Sequence, residues 1–188
     1  METKNTLLKR NLSEENYPQF LDWMQDVSVT GFLYSAKRMS KFKTVAEVKD
    51  FLEEEKDEIF WEIYDRRREE LIGYTSLCSL NKDERSVEFS VFIFNKKYWG
   101  KGYGKEVGYK MVDYVFKELR LDEIRLETCD LHKNAILLYE KLGFKKTKLI
   151  PKDRIVFVSG EWIKAGSLQM VLKKEVIVVQ DTVCCDGN

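Results

Sequence analysis

The chain is poor in the residues that build metal centres and disulfide scaffolds: its 188 residues include one histidine, four cysteines and two prolines. Cys78 and Cys129 stand apart in strand-like runs and Cys184 and Cys185 sit side by side near the end, with no C-x-x-C pair or histidine cluster to complete a ligand set. No metal site is expected, and the cysteine usage fits a reducing compartment. A surplus of either charge is also missing, since 32 Lys+Arg balance 32 Asp+Glu. Without a basic excess the long-range pull toward polyanions is absent, and no nucleic-acid partner is expected. No apolar run approaches the ~20 residues a membrane helix needs, and Met1 to Lys4 shows no apolar signal core. These absences point to a cytoplasmic protein with no membrane partner.

What is present is an ordinary globular composition, 44% hydrophobic and 13% aromatic. A chain of this length forms one domain most simply and buries roughly two thirds of its unfolded surface. No repeat or low-complexity linker divides it, so residues 1–174 are expected to be one domain and 175–188 a tail. Leu7 to Asn11 reads as a strand, and Phe20, Leu21, Trp23 and Met24 as a helix opening near Pro18. Val27 to Lys43, rich in Ser and Lys, reads as a mobile segment. Thr44-Val45-Ala46-Glu47 matches a capping box, with helical spacing continuing to about Lys56. Phe60 to Tyr64, Leu71 to Leu80 and Val87 to Phe94 read as an antiparallel meander. Between the first two, Arg66-Arg67-Arg68 is either a solvated turn or an anion patch. Then follow a helix over Glu106 to Leu119, a strand over Ile124 to Thr128, a helix over Ala135 to Leu142 closed by Gly143, and strands over Lys146 to Leu149, Ile155 to Val158 and Leu168 to Leu172. The class is mixed α/β (α+β).

One stretch carries chemistry. An apolar strand ending in Phe92-Ile93-Phe94 runs into Trp99-Gly100-Lys101-Gly102-Tyr103-Gly104-Lys105 and then a helix. Glycines there let successive N–H groups converge where a helix N-terminus adds positive character, which suits a phosphate; a strand-to-helix turn needing glycine only for its φ angles reads equally well. A Walker A loop fails because Trp99 stands at the required glycine and Glu106 at the Ser/Thr. The dinucleotide pattern G-x-G-x-x-G fails in both registers, at Lys105 and at Val107.

The segment resembles the pyrophosphate-binding motif Q/R-x-x-G-x-G/A of the GNAT N-acetyltransferases, with Trp99 replacing the first Gln/Arg. A second resemblance follows at the family's spacing, where Asn134-Ala135-Ile136-Leu137-Leu138-Tyr139-Glu140-Lys141-Leu142-Gly143-Phe144 is similar to the family's A-I-x-x-Y-E-K-L-G-F helix. The resemblance runs from about Leu7 to Lys174. It implies the GNAT acyl-CoA N-acyltransferase fold, a mixed central sheet splayed between its fourth and fifth strands and flanked by helices. It further implies acetyl-CoA lying in that gap beside Phe92, Ile93 and Phe94, with backbone N–H groups near Ile93 or Phe94 facing the thioester oxygen. Lys101 and Lys105 become partners for cofactor phosphates. His132 stands where the family has an Asn that holds the pantetheine arm, while Asn134 reads as a helix cap; His132 is otherwise a base, a polar cap or an exposed ring.

Acetyl transfer needs a free amine, a polarised thioester and a proton for the departing thiolate. Tyr139 suits the last role, or is a core tyrosine. Alternation puts Glu88, Ser90 and Phe92 on one strand face, where Glu88 orients or deprotonates the amine, or is a paired surface carboxylate. Phe32 and Tyr34 are candidates to line the acceptor cleft. The final hairpin, Val158 to Lys164 with Leu168 to Leu172, is similar to the RimJ/RimL-like group, which acetylates protein N-termini. The expectation is therefore direct acetyl transfer to a primary amine, a peptide N-terminus or a small molecule. The rivals are a catalytically silent acyl-CoA-binding module, suggested by Trp99 and His132, and a polyamine acetyltransferase, suggested by the acids of Glu47 to Glu58. Val176 to Val179 can pair at a sheet edge within the chain or across a homodimer, or fray.

Overall fold

Seven strands, β1 (Thr6–Arg10), β2 (Ile59–Asp65), β3 (Glu70–Asn81), β4 (Ser86–Ile93), β5 (Glu123–Cys129), β6 (Lys145–Val158) and β7 (Glu161–Lys173), form one sheet in the order β1-β2-β3-β4-β5-β7-β6. The computed structural model describes residues 1–54 and 58–175, so Val176 to Val179 and Cys184-Cys185 lie outside the described residues. All neighbouring strands are antiparallel except β4 and β5. The parallel pair is short. It joins Ser86, Val87 and Glu88 to Glu123, Ile124 and Arg125, and no further rung follows. From Phe89 to Ile93 and from Leu126 to Cys129 the strands diverge, so the sheet is forked as the resemblance implied.

Six helices cover the sheet: α1 (Tyr17–Gln25), α2 (Val27–Thr30), α3 (Ala36–Met39), α4 (Val45–Glu53), α5 (Tyr103–Asp113) and α6 (Lys133–Lys141). They fall on opposite faces because the strands alternate. Val87, Phe89, Ile124 and Leu126 point into a core with Val107, Met111, Tyr139 and Leu142 of α5 and α6. Tyr74, Phe92 and Phe94 point the other way, against Phe20, Met24, Met39, Val48 and Leu52 of α1, α3 and α4.

Several expectations need correction. Val27 to Lys43 is no mobile segment: it forms α2 and α3, with Thr30, Ala36, Met39 and Phe42 buried, because its scattered apolar residues have a sheet face to cover. The helix expected from Glu106 begins three residues earlier and ends in a wider turn, Tyr114–Glu118. Lys146 to Leu149 and Ile155 to Val158 belong to one strand, β6, interrupted in register between Ile150 and Arg154. The capping box is present, with the Thr44 hydroxyl accepting from the Glu47 amide and the Glu47 carboxylate from the Thr44 amide; its helix ends at Glu53.

Candidate active site

The glycine loop leaves β4 through a short turn, Lys96–Tyr98, opened by the Asn95 side chain accepting from the Lys97 amide. Gly100 and Gly102 then adopt φ of +70° and +88°, and Gly102 is the N-cap of α5 with no side chain capping it. The amides of the first turn of α5 therefore have no N-cap side chain to accept their hydrogen bonds. A Cβ on Gly100 or Gly102 would meet no atom within 4 Å, so the concave side of the loop is open. Gly104 is closely packed instead: its Cβ would lie 3.3 Å from Leu138 of α6. The loop is thus shaped for an anion, and its other wall is the second motif helix.

Trp99 departs from the family pattern and has its own task. Its indole Nε1 donates to the Ile93 carbonyl at 2.6 Å, folding the ring back on the end of β4. The Phe94 amide donates to the Ile72 carbonyl at 2.9 Å, and the Asn95 amide reaches the same oxygen at 3.1 Å. Phe94 thus spends its N–H on β3, which removes it as a donor to a thioester. Alternation turns the amide of Ile93 the other way, toward the side where β5 diverges. Phe92 lies on the α1–α4 face, tilted against Tyr74 at 4.9 Å and stacked on Phe94 at 5.7 Å.

Glu88 sits on the last rung of the fork, on the α1–α4 face. Its carboxylate accepts from the Ser79 hydroxyl at 3.1 Å and lies 3.7 Å from the Cys78 thiol. Burial, with the charges of Glu58 and Glu88, pushes that thiol up to about 12, so it is no nucleophile. A concavity of about 260 Å³ opens beside Glu88, lined by Ser79, Asn81, Ser86 and Arg125. Arg125 is already paired with Glu84 at 2.8 Å and Glu123 at 2.6 Å.

Tyr139 reaches the same fork from the opposite face, its ring edge-on to Phe89 and Phe144. It is only 7% exposed, and burial pushes its phenol up to about 12. Its hydroxyl makes no hydrogen bond to a described residue, yet it is not sealed, because no fully buried side-chain oxygen or nitrogen among the described residues lacks a partner. Among the described residues the phenol is a protonated donor with no acceptor.

His132, not Asn134, is the N-cap of α6, and Asn134 is exposed within its first turn. The reason is that the chain turns at Cys129, whose carbonyl accepts the His132 amide at 3.0 Å, so the helix starts one residue before Asn134. The imidazole stacks on Phe32 at 4.4 Å, and burial lowers it to about 4, leaving a neutral ring. That stack fixes the α2–α3 segment over the start of α6, helped by the Phe157 amide donating to the Gly31 carbonyl at 2.9 Å. Tyr34 is 70% exposed, with the Arg154 guanidinium 5.7 Å from its ring. Sequence reasoning missed Arg154 itself, buried and paired with Glu127 at 2.5 Å and with the Ser167 hydroxyl at 2.8 Å. The signal was a lone arginine amid the apolar alternation of Ile155 and Val156. Burial also raises the Cys129 thiol. Among the described residues no group of three or more potential ligands could hold a metal.

A forked sheet, an open amide loop and two motif helices define a class of acyl-transfer fold. The sequence model of the acetyltransferase (GNAT) domain matches residues 6–145, most of the chain, and the chain belongs to that family. It is 28% identical over 120 residues to a probable N-acetyltransferase, YjcK, of Bacillus subtilis, covering 64% of this chain and 65% of that protein. It is 31% identical over 92 residues to the spermidine N(1)-acetyltransferase of Vibrio cholerae, covering 49% of this chain and 51% of that one. The matched stretches thus span about half to two thirds of these relatives. The fold is also that of the Vibrio cholerae spermidine N-acetyltransferase solved in complex with CoA and spermine, with TM-score 0.75, 20% identity and coverage of 91% of this chain and 96% of that one. A GNAT acetyltransferase from Bacillus anthracis shares it at TM-score 0.72 and 15% identity, covering 92% and 97%.

Proposed function

We propose that this chain transfers the acetyl group of acetyl-CoA to a primary amine of a small, multiply charged acceptor of the polyamine kind, by direct attack. The observation that carries the reading is the fork itself, where β4 and β5 part after Glu88, with Tyr139 of α6 packed edge-on against Phe89, the next residue of β4. An amine approaching over Glu88 gives up a proton on one face, directly or through water. Its lone pair forms the C–N bond, the C–S bond breaks, and the thiolate takes the phenolic proton of Tyr139 on the other face. The Ile93 amide is the donor placed to stabilise the oxyanion. Among the described residues the half-buried Cys78 and the buried Cys129 both have thiols raised by desolvation, which disfavours a covalent enzyme intermediate on either.

The acceptor assignment rests on charge and size. In the concavity beside Glu88 the Arg125 guanidinium is already held by Glu84 and Glu123, which leaves the Glu88 carboxylate there to meet a cation. The volume of the concavity suits a flexible chain better than a folded protein surface. Of the acids from Glu47 to Glu58, Glu47 caps its helix and Glu53 and Glu54 pair with Lys49 and Arg38, while residues 55–57 lie outside the described residues. The spermidine acetyltransferases among the relatives support the same acceptor, whereas the RimJ/RimL-like reading rests on the terminal hairpin of the sequence.

Thiol release from acetyl-CoA with spermidine, an N-terminal peptide and an amino sugar tests the proposal. Spermidine is expected to give the highest kcat/KM. Preference for the peptide would overturn the acceptor assignment, and CoA binding without thiol release from any amine would make the chain a silent acyl-CoA-binding module.

A further inference from the structure

The turn Asp65–Glu70 between β2 and β3 projects at the end of the sheet where the glycine loop lies, and the two are tied together. Tyr98 and Tyr103 flank the glycines, their rings edge-on at 5.0 Å. The Tyr103 hydroxyl donates to the Asp65 carboxylate and the Tyr98 hydroxyl to that of Glu70 at 2.6 Å. Asp65 also accepts the Arg68 amide at 2.8 Å. Both feet of the arginine turn are therefore pinned to the loop by its own tyrosines. A merely solvated turn has no need of two such ties.

The pinning also sorts the charges. Glu70 is taken by Asn95, Lys97 and Tyr98, and Glu106 by Thr3 and Asn5. Arg66 is held away by Glu2. Among the described residues, Arg67, Arg68, Lys101 and Lys105 make no ion pair. The turn also carries the exposed Glu69, and Asp65 and Glu70 act on Arg68 from the turn's two feet, so the cations at this end are placed singly by the fold rather than by an overall surplus of charge. Two of these cations meet at one ring: the Lys101 ammonium is 6.0 Å from the centre of Tyr98, and the Arg68 guanidinium faces the Tyr98 hydroxyl, which favours its charged form.

We propose that Arg68, with Lys101, forms a second phosphate site beside the glycine loop, one that takes the 3′-phosphate of the CoA ribose. The inference rests on the acetyl-CoA reading. CoA carries a diphosphate and a separate phosphate monoester. The loop amides suit the diphosphate, whose charge is spread over bridging groups. The monoester carries close to two charges at neutral pH and calls for a guanidinium fork. Arg68 is an arginine of the turn that makes no ion pair and whose guanidinium reaches Tyr98 at the start of the loop, and its turn is fixed by the Tyr98 and Tyr103 ties before the ligand arrives.

Calorimetry with CoA and with 3′-dephospho-CoA tests this. The wild-type protein should bind CoA more tightly by on the order of ten- to hundred-fold, the range for charge-assisted hydrogen bonds. Arg68→Ala should weaken CoA by that factor and leave dephospho-CoA unchanged, while Arg68→Lys restores part of the difference and Arg67→Ala leaves it intact. Because Arg68 is exposed on a turn, folding is preserved, and a thermal melt verifies it. Equal binding of the two ligands by the wild type, or an equal loss of both in Arg68→Ala, would overturn the assignment. Binding of neither would instead overturn the acetyl-CoA reading, and this site with it.

Discussion

Replacing Tyr139 by Phe removes one oxygen that bonds to no described residue. Since no protein hydrogen bond is lost, and the ring contacts with Phe89 and Phe144 survive, stability should change by no more than about 0.5 kcal/mol. At roughly 2–4 °C per kcal/mol for a chain of this size, the melting temperature moves by no more than about 2 °C. The chemistry should respond differently. A general acid contributes ~10²-fold or more, so kcat should fall about 100-fold, or ~2.7 kcal/mol of barrier, with KM for acetyl-CoA unchanged. With the phenol pushed up to about 12, Tyr139 stays protonated at pH 7 to 9, and the deficit should be constant across that interval. Stopped thiol-release assays at saturating amine, paired with melts, provide the measurement. A kcat within threefold of wild type would refute the acid role. An activity loss matched by a large fall in melting temperature would show that the hydroxyl is structural and the reasoning from its missing partner mistaken. The raised value also has a sign in stability: the fold's contribution from Tyr139 is complete below pH 10 and is lost as pH climbs toward 12.

Glu88→Gln keeps the shape and the Ser79 hydrogen bond but cannot take a proton; kcat/KM for the amine should drop roughly ten- to hundred-fold with acetyl-CoA binding intact, and full activity would retire Glu88. Gly102→Val places a β-branched side chain at φ +88°, costing about 1–2 kcal/mol of strain and pushing methyl groups into the open side of the loop; calorimetry should show CoA binding weakened at least tenfold on the order of one blocked contact, and unchanged affinity would contradict the loop assignment. His132, lowered to about 4 by burial, is neutral in the fold, so its contribution to stability is complete above pH 6.5 and is lost as pH falls toward 4. With no other histidine in the chain, unfolding free energies from urea titrations at pH 7 and pH 5 should differ by roughly 2 kcal/mol more in the wild type than in His132→Phe; parallel behaviour of the two would place the ring in solvent.

The parts of the fold legible in the sequence were those encoded by local pattern. Thr44 and Glu47 announce a helix start because a capping box is closed within four residues, and Gly143 announces a helix end because few other residues accept φ of +96°. Glu88, Ser90 and Phe92 could be assigned to one face because strand alternation is geometric. Val27 to Lys43 was misread for the opposite reason: its short helices are stabilised by the sheet they cover, not by their own periodicity. Asn134 has the right chemistry for a cap, yet the turn from β5 decides where α6 begins. Phe94 lost its role to a hydrogen bond with Ile72, twenty-two positions away, which no local pattern announces.

By itself the sequence determined the chemistry available: a glycine loop after an apolar strand, a tyrosine ten residues after Cys129, and a carboxylate on the strand before the loop. These follow from residue type and spacing, which the chain carries before it folds. Tertiary structure decided which of them meet. Tyr139 comes to lie beside Phe89, next to Glu88, only because α6 packs on the strand where β4 and β5 part after three rungs, and the arginine turn acquires a neighbour only because Tyr98 and Tyr103 reach back to Asp65 and Glu70. Such encounters depend on strand order and register, quantities set by the packing of the whole sheet and written in no single segment.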